Sequence, residues 1–192
     1  MASTMTTPPA IEPVSLATAK AHLKVDHSHE DQLIANLITA ARQHVEYETG
    51  MVMIDQDWSV YFNHWPENGQ LVLPLVPVIS ISGVYVYGDD DVASQIDAAH
   101  YVTDTISRPA RIVLRGSRQW ANPGRIINGI EVKLKAGFGA TDTDVPADLI
   151  EAILLLVAHW FENRQPVFHG ETIHTLPRSV SALLKPYRMV QL

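Results

Sequence analysis

An α+β fold is what this sequence predicts: a small helical bundle built by the terminal thirds, with an antiparallel β-sheet or sandwich inserted between them. Three observations carry that expectation. Apolar residues recur at helical spacing towards both ends, as Leu33, Ile34, Leu37, Ile38, Ala41 and Val45, and again as Leu149, Ile150, Ile153, Leu154 and Val157. Between Met51 and Gly137 the texture changes to short β-rich runs broken by proline, glycine and acidic turns. Within that region Glu131-Val132-Lys133-Leu134-Lys135 alternates charged and apolar side chains, the period-two mark of a half-exposed strand.

Residues 1–13 are small, polar and proline-rich, and read as a flexible N-terminal arm. Ser15 stands where it can cap a short helix running through Leu23. A polar break, Asp26-His27-Ser28-His29-Glu30, precedes a longer helix expected from Asp31 to Thr49, with Gly50 beyond it to take the left-handed C-terminal position. Residues 14–50 thus supply the first helical part of the core. Strands are expected near 58–62, 71–73, 78–87, 101–102, 111–114 and 129–135, which makes 51–140 the β-rich insert. Gly137 and Gly139 end the last of them. Asp144 is then expected to cap, and Pro146 to open, a very apolar helix over 147–163, so that 141–165 completes the bundle.

The remaining segment, 166–192, begins with the turn-rich Gln165-Pro166-Val167-Phe168-His169-Gly170. Pro177 then starts a short helix carrying Val180, Leu183 and Leu184, which Pro186 stops. A helix so short has no stability of its own. It must dock, either on its own body or on a neighbour.

At 192 residues, with 46% apolar and 18% charged residues, the chain has ordinary globular composition. It contains no cysteine, which excludes a disulfide scaffold, thiolate zinc sites and a cysteine nucleophile. Residues 1–13 have no basic residue and no apolar core, so no secretory signal is expected there. The longest apolar run, around 153–157, falls short of the ~20 residues that cross a bilayer, so a soluble protein with no membrane partner is expected.

The net charge of −7 is unevenly spread. Residues 1–107 hold three basic residues against fourteen acids, whereas 108–135 hold seven against Glu131 alone. A basic middle on an acidic chain suits contacts in which one patch of a copy meets a different patch of the next.

Chemistry-bearing clusters are few. His27, His29, Glu30 and Asp31 form the best metal-like set, since His-x-His places two imidazoles on one side of an extended segment. A polar loop leading into a helix, with acids favoured at the helix start, accounts for the same residues. His169 and His174 have the inventory of a zincin helix in the wrong order, and Gly170 opposes that helix. Asp89-Asp90-Asp91 lacks the alternation and the distal glutamate of a calcium loop and reads as a hairpin turn. His159 lies among apolar neighbours and reads as a hydrogen-bonded core histidine. No phosphate-cradling loop, nucleophile elbow or paired catalytic motif is present, so no enzyme activity and no cofactor or metal are expected. The arginines between 108 and 125, with Trp120 among them, also suit gripping of phosphates with indole–base stacking, although the acidic chain as a whole opposes it.

Several segments occur together in one order: 14–25 (Val14-Ser15-Leu16-Ala17-Thr18-Ala19-Lys20-Ala21-His22-Leu23-Lys24-Val25), the helix Asp31–Thr49 with Gly50, Lys135-Ala136-Gly137-Phe138-Gly139, Val145-Pro146-Ala147-Asp148-Leu149, the helix up to Arg164, and Leu176-Pro177-Arg178 through Tyr187-Arg188. This ordered set covers roughly half to two-thirds of the chain and resembles the head–tail connector (adaptor) proteins of long-tailed bacteriophages and gene transfer agents. The resemblance implies a structural, non-enzymatic protein of the virion, assembled in the bacterial cytoplasm and placed at the portal vertex. It implies a homo-oligomeric ring of about twelve copies, each interface closing head-to-tail. The portal protein and a tail-side stopper or tail terminator protein are the implied partners, with DNA passing through the lumen without specific binding. It also implies that the C-terminal segment is a docking arm, with Leu176, Val180, Leu183, Leu184, Tyr187 and Arg188 as portal or subunit contacts. Arg111, Arg115 and Arg118 form a possible second contact patch. The β insert is longer than in the smallest, mostly helical members. Two readings from other classes stay open: a β-sandwich ligand-binding module with Trp58, Tyr61, Trp65, Tyr85 and Tyr87 along one face, and a metal-dependent hydrolase using the His27 to Asp31 cluster.

Overall fold

The computed structural model describes residues 1–116, 119–164 and 177–188. The chain divides into two units: Met1–Ala10 with Asp55–Phe138, and Ile11–Ile54 with Gly139–Leu192. The first of these is the β unit, which takes in the N-terminus, and the second is the helical unit.

Local chemistry sets the helical unit. The Ser15 side chain accepts from the Thr18 N–H at 3.0 Å and opens α1 (Leu16–Leu23). Lys24, at φ 58°, closes it in the left-handed region. α2 (Asp31–Thr49) ends on Gly50 at φ 70°, whose N–H donates to the Glu46 carbonyl at 2.9 Å. α3 (Ala147–Glu162) buries Leu149, Ala152, Ile153, Leu156 and Val157 completely. α2 presents Ile34, Ile38, Ala41 and Val45, spaced three and four apart, as the matching core face. α2 packs on α3, and α1 touches both. The apolar surface of α3 does wrap beyond this core: Ile150, Leu155, Trp160 and Phe161 are only half-buried.

Asp144 does not cap α3. Its carboxylate instead accepts from the Thr141 N–H (2.9 Å) and hydroxyl (2.8 Å), closing a capping box around the short 3-10 turn Asp142–Asp144. Pro146 opens α3 from the N-cap position.

A buried ion cluster ties this unit together. Arg42, 4% exposed, donates to Glu12 at 2.7 Å and to Glu46 at 2.6 Å. Glu12 also accepts from the Thr39 hydroxyl, and Glu46 from the Met53 N–H. The entering segment, α2 and the chain leaving α2 thus share one guanidinium.

The β unit holds two antiparallel sheets. The strands are β1 (Ala2–Thr7), β2 (Gln56–Phe62), β3 (Gln70–Val72), β4 (Val78–Tyr87), β5 (Ala93–Gln95), β6 (Tyr101–Asp104), β7 (Arg111–Leu114) and β8 (Ile130–Ala136). The larger sheet runs β1-β2-β8-β4-β5 and the smaller β3-β7-β6. Strand alternation gives the larger sheet an apolar face of Val60, Val84, Val86, Ile130, Val132 and Leu134, all buried, and a polar face centred on Glu131. The smaller sheet buries Leu71, Tyr101 and Ile112.

The expected flexible arm is corrected here. Ala2–Thr7 forms an edge strand registered against β2 from Ala2 opposite Tyr61 to Thr7 opposite Asp57. Its six residues are all exposed, so backbone pairing rather than side-chain burial holds it. Among the described residues no helix is long and apolar enough to cross a membrane.

Candidate functional site

The C-terminal segment was expected to dock, and α4 (Arg178–Leu184) docks on its own unit, against α3 and α2. Val180 and Leu184 are completely buried there, so their apolar surface is consumed within the chain. That corrects their assignment as contacts offered to a partner. Leu183 and Tyr187 are half-buried, and the exposed Arg188 pairs with Glu48 at 2.7 Å. Leu176 lies outside the described residues.

The arginine patch sits on the smaller sheet. Arg111, on β7, donates to Asp104, its registered neighbour on β6, at 2.9 Å. Asp104 also accepts from the Ser107 N–H and hydroxyl. These bonds from Ser107, followed by Arg111, hold the Asp104 carboxyl well below the usual carboxylate range. Arg115 is exposed just past β7, and Arg118 lies outside the described residues. The outward face of this sheet also carries three exposed valines, Val72, Val102 and Val113. Val102 stands directly opposite Val113, with Val72 diagonal to it on β3.

The nucleic-acid reading loses support at close range. Arg111 and Arg125 are engaged by Asp104 and Asp91, the latter at 2.6 Å. Trp120 stacks on Trp65 with ring centres 4.0 Å apart and planes 5° from parallel, so one indole face is already covered. The Trp65 N–H donates to the Ala121 carbonyl at 2.8 Å, which fixes the pair in the loops.

The polar face of the larger sheet is a built site. Glu131, 4% exposed, accepts from the hydroxyls of Ser59 (2.7 Å), Tyr61 (3.1 Å) and Tyr87 (2.7 Å). Burial pushes its carboxyl upwards, but the three hydroxyls, helped by Lys133, overrule it and leave it below the ordinary range. Tyr87 is pushed up to about 12, first by its hydrogen bond to Glu131 and then by burial and that charge. Arg125 lies over the Tyr87 ring at 4.6 Å and Lys133 over Tyr85 at 4.6 Å. Of the five aromatics expected along one face, Tyr61, Tyr85 and Tyr87 share it with Glu131, while Trp58 falls on the opposite side by strand alternation and Trp65 belongs to the indole stack.

A cleft of about 750 Å³ opens beside Tyr61 and Tyr87, with Arg125, Ile126 and Ile127 on its rim. The rim loop is held by the N–H of Gly124 on the Tyr87 carbonyl at 2.9 Å. The three hydroxyls reach one carboxylate on β8 from its neighbours β2 and β4, so this arrangement staples the three strands together. Ile126 and Ile127, 90% and 67% exposed, carry no mark in the sequence, because no local pattern shows that isoleucines outside a strand stay uncovered.

The histidine pair offers little to a metal. His27 and His29 approach to 5.5 Å between ring centres, but Glu30 pairs with Arg164 and Asp31 with Lys20. Among the described residues no group of three or more potential ligands comes together. His169 and His174 lie outside the described residues, and His159 is half-buried, 3.4 Å from the Asn163 amide.

A protein-family model described as "Head completion protein" matches residues 13–190. No curated protein gives a significant match. Among solved structures, a chain of the virion of the native gene transfer agent (GTA) particle superposes with a TM-score of 0.82 at 22% identity, over 100% of this chain and 97% of that chain. A chain in the neck of the empty GTA particle, computed with C6 symmetry, gives 0.83 at 22% identity over 100% and 97%. One in the neck of the native GTA particle, computed with C12 symmetry, gives 0.74 at 22% over 98% and 97%. At that identity the likeness is one of fold, and it extends over both units.

Proposed function

The chain belongs to the head completion protein family, and we propose on that premise that it is a structural head–tail connector. Copies form a ring between the portal and the tail-side proteins of a phage-like particle and extend the DNA channel. The observation that carries this reading is the family match over residues 13–190, with the whole-length fold likeness to GTA neck chains in support. The protein acts in the virion, at the portal vertex, after assembly in the bacterial cytoplasm.

Its partners in this reading are further copies of itself, the portal protein, and a stopper or tail terminator on the tail side. The C6 and C12 symmetries of the similar necks support a ring of about twelve copies. DNA passes through without specific binding, in keeping with a chain of net charge −7. The protein carries out no reaction. Portal or subunit contact falls to Leu183, Tyr187 and Arg188, on the less buried side of α4, with Arg111 and Arg115 as the second patch.

The test is the mass of the purified protein by light scattering, followed by cryo-microscopy of the capsid vertex. A ring beneath the portal, formed beforehand or on the portal itself, is the expected result. A protein that remains monomeric and never joins a particle overturns the proposal.

A further inference from the structure

Two exposed faces of this chain complement each other in both polarity and charge. The first is the outward face of the smaller sheet. Val72, Val102 and Val113 are 43%, 46% and 39% exposed and run across all three strands. At ~4.8 Å between strands they make an apolar stripe ~10 Å wide, the width of one helix. Arg111 and Arg115 continue the line of Val113 along β7, and between residues 108 and 125 the sequence has five arginines and no acid. Asp104 pairs with Arg111 on this face.

The second face is the outer stripe of α3. Asp148, Glu151, Leu155, Ala158 and Glu162 follow at three- and four-residue intervals and so lie in one line. Leu155 and Ala158 are half-buried at its centre, and the three acids are exposed. Asp148 and Glu162 stand seven residues either side of Leu155, ~10 Å each way along the axis. Among the described residues none of these three acids has an ion-pair partner.

We infer that the valine–arginine face of the smaller sheet receives the outer stripe of α3 from a second copy of this chain, Leu155 seating among the valines and the acids meeting Arg115, beside the Arg111–Asp104 pair. Both faces are at least partly exposed among the described residues, and their opposite charges suit each to the other. Because the two faces differ, the contact is head-to-tail and leaves each copy with one donor and one acceptor face, which a rotation can close into a ring. The inference rests on the connector reading and names the subunit interface within it.

The chain has no cysteine, which makes the test direct. Val113→Cys and Leu155→Cys variants are prepared separately and then assembled together into necks under mild oxidation. Covalent dimers containing one of each variant, absent when either is used alone, are the expected result. As a second measurement, Arg115→Glu weakens self-association about tenfold, and Glu151→Arg in the same chain restores it. A ring that forms without the mixed cross-link and is indifferent to both charge reversals overturns this interface and leaves the connector reading intact. A chain absent from particles altogether overturns both.

Discussion

The Tyr87 hydroxyl donates to Glu131 Oε2 at 2.7 Å, reaching past Tyr85, the residue on β4 that is registered opposite Glu131. With Ser59 and Tyr61 donating from β2, one carboxylate joins three neighbouring strands on a face that strand alternation leaves polar. Tyr87→Phe should therefore destabilise the β unit by about 1–2 kcal/mol, since a hydrogen bond to a charged group is lost while the ring stays. Urea denaturation followed by tryptophan fluorescence reads the change. A shift of under a few tenths of a kcal/mol would show that the staple contributes nothing.

The same pair sets the pH dependence. Glu131 is held below the ordinary range in the fold, so its contribution is present above the unfolded carboxylate pKa of ~4.3 and is lost as pH falls below that value. Tyr87 is raised to about 12, so its contribution is complete below the unfolded phenol value of ~10 and is lost as pH rises through 12. Between these limits neither Glu131 nor Tyr87 contributes a pH dependence. Tyr87→Phe should remove part of the fall between pH ~10 and ~12. An alkaline limb unchanged in that variant contradicts the assignment.

Arg42 is the partner of both Glu12 and Glu46, and removing it leaves two carboxylates without their cation. Arg42→Ala should cost about 3 kcal/mol. Arg42→Lys should recover less than half of that, because a single ammonium cannot span two carboxylates as the guanidinium fork does. Thermal unfolding monitored by circular dichroism distinguishes the two.

α4 separates stability from contact. Leu184 is completely buried, so Leu184→Ala should cost about 2–4 kcal/mol. Leu183 is half-buried, and Leu183→Asp should leave the melting temperature within a few degrees while reducing incorporation into particles, scored by immunoblot of purified heads. Incorporation unaffected by Leu183→Asp and Arg188→Glu together removes the α4 contact from the proposal.

What could be read from residue order followed from how far each interaction reaches. Ser15, Gly50 and the 3.6-residue spacing of α2 and α3 act within a turn or two, so the start of α1, the end of α2 and the core faces of α2 and α3 agree with expectation. β4 and β7 likewise follow their β-branched runs between prolines and glycines. β1 escaped because Ala2–Thr7 has no apolar alternation and exists through pairing with β2, fifty or more residues away. Asp144 was misassigned because two acceptor geometries compete for one carboxylate, and Thr141 offers both an N–H and a hydroxyl.

Local patterning was thus enough for the helices, six of the eight strands, the α+β class and the family likeness. Which surfaces remain uncovered was a matter of tertiary structure alone. Glu131 reads as one exposed charge in an alternating strand, and it is buried only because hydroxyls distant in sequence close over it. Val180 and Leu184 look like a free docking stripe, and packing against α2 and α3 uses them up. Val72, Val102 and Val113 look like core, and sheet pairing turns them outwards together. Burial depends on the sum of contacts from remote segments, and no window of neighbouring residues contains that sum.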